Sequence, residues 1–109
     1  MFTTQDYNVE VTIDFDLQTI TEDQALYLAG SLPSDWLPAL LKGDLDGTVI
    51  SLCIPEADWH AAVVAGMNAV RPLLSESGPI PAEITSIEAM PNEEYSRRSY
   101  LYPPLESRR

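Results

Sequence analysis

The side chains in this chain that could do chemistry are few and scattered. His60 is the sole histidine and Cys53 the sole cysteine, so a histidine- or thiol-dependent reaction has to pass through them. His60 follows Asp58 and Trp59 at the predicted start of a helix. A general base oriented by Asp58 beneath the Trp59 ring is one reading; a solvent-side histidine on a helix whose apolar stripe lies elsewhere is the other, and the spacing favours it. Cys53 falls mid-strand with no neighbouring cation to lower its pKa, so it reads as structural. A lone cysteine also excludes an internal disulfide and a cysteine-cluster metal site. Asp14 with Asp16, and Asp44 with Asp46, are close carboxylate pairs, yet a calcium loop needs more oxygen ligands and a closing glutamate. Turn chemistry and solvated faces account for both. The expectation is a non-enzymatic chain with no cofactor and no metal.

The C-terminal stretch differs in kind. Residues 96–109 hold Arg97, Arg98, Arg108 and Arg109 against Glu106 alone, while residues 1–95 set only Lys42 and Arg71 against sixteen acids. Three of the 5 tyrosines, Tyr95, Tyr100 and Tyr102, gather at the same end. Arginine and tyrosine are the residue types that make strong protein contacts. Such a strip can fold back on its own sheet, cross to a second subunit or hold a partner. With Pro103-Pro104 and no periodicity, it reads as a tail, 96–109, behind a single domain, 1–95.

The overall charge narrows the partners further. There are 17 acidic and 6 basic residues among 109, a net charge of −11, with 45% hydrophobic residues. That hydrophobic share supports a folded core. The acid excess disfavours direct binding to nucleic acid, which needs cations to displace counterions, and docking on an anionic membrane. No stretch reaches a membrane span, and the N-terminus lacks an export signal, so the cytoplasm is the expected location. No small-molecule ligand is indicated.

Residues 7–15 alternate strictly, with Tyr7, Val9, Val11, Ile13 and Phe15 apolar and Asn8, Glu10, Thr12 and Asp14 polar. That is a strand with one buried face. Thr21 and Gln24 fit a capping box, and Ala25, Leu28, Ala29 and Leu32 follow at helical spacing. Trp36, in a proline-bounded connection, reads either as a core anchor or as an interface hot spot. Residues 39–43 and 48–54 are strands around an Asp44–Gly47 turn; the second is apolar on both sides and so central. Asp58 is a plausible cap for a second helix, with Trp59, Val63, Gly66 and Val70 on one stripe and Ala62, Ala65 and Ala69 beside it. Pro72 should end it. Residues 83–90 form a last strand only if a bulge intervenes, because Ile84 and Ile87 are three apart.

The order strand, helix, strand, strand, helix, strand predicts an α+β, ferredoxin-like split βαβ arrangement, βαββαβ. Its four-stranded antiparallel sheet would run 4-1-3-2 with both helices on one face. Glu10, Thr12 and Asp14 from the first strand and Val49, Ser51 and Cys53 from the third would lie on the other. An RNA-recognition module of this topology needs aromatics and cations on its central strands, and Thr48–Ile54 has neither.

The phrases Thr21-Glu-Asp-Gln-Ala-Leu26, Asp46-Gly-Thr48 and Ala89-Met-Pro-Asn-Glu-Glu-Tyr95 resemble those of small uncharacterised proteins from actinobacteria and their phages. The likeness spans roughly residues 7–97. It implies a ferredoxin-like domain and carries over no site residues, and the tyrosine-rich tail departs from it. The expected function is protein interaction, with a partner protein or a second copy. The contact residues would be Glu10, Thr12, Asp14, Val49, Ser51, Trp36, Tyr95, Arg97, Arg98, Tyr100 and Tyr102. Two alternatives remain open: a nucleic-acid mimic that blocks a DNA- or RNA-binding protein, and a dimeric α+β-barrel enzyme using His60.

Overall fold

The computed structural model describes residues 5–43 and 47–91. In chain order these form β1 (Gln5–Ile13), α1 (Glu22–Gly30), β2 (Ala39–Lys42), β3 (Thr48–Glu56), α2 (Trp59–Val70) and β4 (Ile84–Pro91). Short 3-10 turns cover Leu17–Thr19, Ser34–Trp36 and Arg71–Leu73. The fold is α+β. Its four strands make one antiparallel sheet in the order β2-β3-β1-β4, so β3 and β1 are central and β2 and β4 are edges.

Local chemistry sets the helix starts. The Thr21 hydroxyl accepts the Gln24 amide at 3.1 Å, and Gln24 Oε1 accepts the Thr21 amide at 2.9 Å. This reciprocal pair satisfies two N–H groups that the first helical turn leaves open. The same Gln24 side chain donates through Nε2 to the Pro79 carbonyl at 2.8 Å, tying the loop before β4 to α1. Asp58 caps α2 by accepting the Ala61 amide at 2.8 Å. Helix α2 ends at Val70 and tightens into a 3-10 turn containing Pro72, as a proline without an N–H requires.

β1 stops at Ile13, two residues before the end of the alternating pattern. Thr12 pairs with Ser86, but Ile13 pairs with Ile84, so Thr85 is an extra residue in β4. This is the bulge that the Ile84–Ile87 spacing requires. The Thr85 hydroxyl donates to the Thr12 carbonyl at 3.2 Å and covers the disruption. Beyond it, the Asp14 amide donates to the Glu83 carbonyl at 3.1 Å, and the Asp14 carboxylate accepts the Glu83 amide.

The core lies on one side of the sheet. Tyr7, Val9, Val11 and Ile13 of β1 and Ile50, Leu52 and Ile54 of β3 are buried in one cluster with Leu28 and Leu32 from the α1 region, Ala62 and Val70 of α2, and Ile80. Both helices therefore cover the same face. Thr48 is also fully buried, its hydroxyl donating to the Phe15 carbonyl at 2.6 Å. The buried stripe of α2 is Ala62, Gly66 and Val70; Trp59, placed on that stripe by its spacing, is 54% exposed. The small residues win this face because the helix sits too close to the sheet for an indole. A Cβ on Gly66 would lie 2.9 Å from Val9 Cγ1.

Gly66→Ala and Gly30→Ala should therefore shift stability in opposite directions. Gly66→Ala gains helix propensity but overpacks against a fully buried valine, for a net loss of about 1 kcal/mol. Nothing lies within 4 Å of a Cβ at Gly30, so that change should gain a few tenths to about 1 kcal/mol. Urea unfolding of both variants checks the pair.

Candidate interaction face

Direct cross-strand partners point to the same side of a sheet, so the register defines the face that is helix-free among the described residues. β1 contributes Asp6, Asn8, Glu10 and Thr12, and β3 contributes Pro55, Cys53, Ser51 and Val49 opposite them. β4 adds Met90, Glu88 and Ser86 beside Asn8, Glu10 and Thr12, and β2 adds Ala39 and Leu41 beside Ser51 and Val49. The face is thus divided: carboxylates sit over β1 and β4, apolar side chains over β3 and β2. Leu41 is 41% exposed there. A shallow depression in it is bordered by Glu10, Thr12, Lys42, Val49, Ser86 and Glu88.

Two features of this face are unfavourable as they stand. Glu10 lies directly across from Glu88. Partial burial, and secondarily the charge of Glu88, push the Glu10 carboxyl above its ordinary pKa. The second is Asn8, which is buried although no helix among the described residues covers its side of the sheet. Its Nδ2 donates to Ser51 Oγ at 3.3 Å, but its buried Oδ1 has no hydrogen-bond partner. Cys53, across from Asn8, is half-buried, and burial together with Asp6 raises its thiol pKa. That is the reverse of what activates a thiol nucleophile.

The expected contact residues fall out unequally. Glu10, Thr12, Val49 and Ser51 come together on the face. Asp14 does not join them: it lies past the end of β1, and its carboxylate is engaged by the Glu83 amide. Trp36 is half-buried and packs against the core cluster, which is the anchor reading. Tyr95, Arg97, Arg98, Tyr100 and Tyr102 lie outside the described residues. Asn8, Glu88 and Leu41 join the face without having been singled out from sequence. Asn8 was visible in the alternation of β1, whereas Glu88 is placed only once the bulge fixes the register.

The chemistry considered for His60 finds little support nearby. His60 is exposed, Asp58 is committed to the helix cap, and among the described residues no hydrogen bond joins the two. Trp59 reaches the other way, its indole N–H donating to the Ala89 carbonyl of β4 at 2.9 Å. A second concavity, between α2 and β4, is lined by Met67, Arg71, Leu74, Ala82, Glu83 and Ile84. Among the described residues no three His, Cys, Asp or Glu side chains are grouped to hold a metal. Nor is any helix there long and apolar enough to cross a membrane.

The Glu10–Glu88 opposition gives a pH prediction. Because the folded-state pKa of Glu10 is raised, its ionisation weakens the fold, fully so above that pKa, and the penalty fades as pH falls through it toward the unfolded value. Glu10→Gln should stabilise at pH 7 by a few tenths to about 1 kcal/mol. The gain should vanish near the ordinary glutamate pKa of about 4. Glu88→Gln should show the same sign, with less than additive gains in the double variant, all read from denaturant midpoints across pH. No known family, curated protein or solved structure matches the chain.

Proposed function

We propose that this chain is a small, non-enzymatic protein-interaction module with a ferredoxin-like arrangement, counted β4-β1-β3-β2 from its other edge. It acts through the helix-free sheet face together with the C-terminal tail. One observation carries the reading: the two described helices cover a single side of the sheet, and the other side carries directly opposed glutamates, one of them partly buried, and a buried, half-satisfied amide. Unsatisfied buried polar groups cost free energy that a donor from a partner can recover.

The acid excess of residues 1–95 steers the face toward cationic partners and away from nucleic acid and anionic membranes. It also weighs against the dimeric barrel arrangement, in which two such faces would pack together and place Glu10 and Glu88 of each copy against those of the other. The phrases resembling actinobacterial and phage proteins support an origin there, and the cytoplasm is the location this reading favours.

Placing a photo-crosslinking residue at Thr12 or Ser51, one at a time, in cells that naturally express the protein tests the assignment. A control at Asn68 probes an exposed position on α2. The expected outcome is a discrete protein adduct from both face positions and none from Asn68. Adducts at Asn68 alone, or equally at all three, would overturn it.

A further inference from the structure

The divided face suits one kind of occupant: an extended segment with guanidinium groups for the carboxylates over β1 and β4 and aromatic rings for the apolar side chains over β3 and β2. We propose that the chain's own C-terminal segment, residues 95–109, is that occupant and lies across the face of the same molecule. The proposal rests on reading the face as an interaction surface, and it names the ligand chemistry: an arginine- and tyrosine-bearing peptide.

Three observations support it. The first is charge complementarity. Residues 96–109 carry four arginines against Glu106, whereas the face carries Asp6, Glu10 and Glu88. Bidentate arginine–carboxylate pairing would relieve the Glu10–Glu88 repulsion. The second is reach. β4 ends at Pro91, paired with Tyr7, one residue from Asn8 and Met90. Pro91, the last described residue, therefore lies across from the strand position between Asp6 and Asn8. At roughly 3.3 Å per residue, residues 92–109 span up to about 60 Å, against a sheet some 15–20 Å across. The third is Asn8, whose Oδ1 is buried and unpartnered across from Met90, next to the last residue of β4. A side-chain or backbone donor arriving there would satisfy it.

A bound cationic segment also explains how a face with directly opposed carboxylates is kept. In this arrangement the segment guards the face until a partner of similar chemistry displaces it, which frees both the face and the segment for contact. A second copy is the less favoured donor, because a segment tethered next to the face binds at high effective concentration.

Cys53 is a native reporter, being the sole cysteine and lying on the face. Iodoacetamide alkylation of the full-length chain, followed from about pH 7 to about pH 11, separates thiol pKa from access, which the high-pH plateau reads. Low-salt labelling should plateau about tenfold or more below the urea-unfolded chain. Arg97→Glu/Arg98→Glu, Glu10→Gln/Glu88→Gln, or added salt in the unmodified chain should each raise it several-fold, while Glu22→Gln should not. Dilution should leave the rate unchanged. A plateau indifferent to both tail charge and salt would overturn the proposal, as would a rise on dilution, which assigns the segment to a second copy. Either result leaves the crosslinking outcome at Thr12 and Ser51 free to stand.

Discussion

The close seating of α2 on the two central strands is the constraint from which the rest follows. Gly66 lies against Val9 so closely that even a methyl group would intrude. That approach lets Ala62 and Val70 bury beside it without large side chains. With α2 pressed on β1 and β3, and Leu28 of α1 completing the layer, one face of each central strand is spent on the core. The alternation of β1 then dictates what the opposite face carries. Asn8, Glu10 and Thr12 are there because Tyr7, Val9, Val11 and Ile13 are on the other side, since a strand sends neighbouring side chains to opposite faces. Composition and exposure of the open face are thus by-products of how the core is packed.

That face is electrostatically unfinished. Native sheets usually match opposite charges or pair polar groups across strands, because like charges directly opposed are destabilising. Here two glutamates face each other on adjacent strands, and the described residues hold only two lysines or arginines, Lys42 and Arg71. Lys42 borders the depression near Glu10 and Glu88, and Arg71 lines the concavity between α2 and β4. Most of the chain's positive charge follows β4. Repulsion on one surface and an arginine-rich segment later in the sequence are the two facts on which the proposed pairing rests.

Much of the architecture was legible in the residues because local and long-range signals agree. The capping box at Thr21 and Gln24, the Asp58 cap and the alternation of β1 each encode their element locally. The bulge at Thr85 was legible too, since Ile84 and Ile87 cannot share a face without one. Legibility failed where tertiary distances decide. Spacing assigns Trp59 to the buried stripe of α2, but the closeness of helix and sheet expels the indole to the Ala89 carbonyl of β4. Asp14 has the right parity for the open face, yet strand pairing reaches it with a backbone amide that claims its carboxylate. In the sequence Asn8 is only a polar member of an alternating strand. Its burial depends on neighbours from β3 and β4, which no local pattern contains.

The sheet edges explain why association is assigned to the face. An exposed edge offers unpaired backbone groups that can template another strand. On β4 the Trp59 indole occupies a carbonyl, and the bulge interrupts the regular ladder. β2 is only four residues long, ends in Lys42, and follows Leu37, which holds a left-handed φ of 53° directly before Pro38. That backbone turn and the proline, which has no N–H, prevent the strand from extending backward. With one edge interrupted and the other short, strand addition is less favoured than contact through the face. The exposed Leu41 then contributes through its side chain, beside Val49, and enlarges the apolar half of the face. Recognition by side chains across a divided surface can select a ligand by sequence, whereas backbone pairing along an edge would accept many strands.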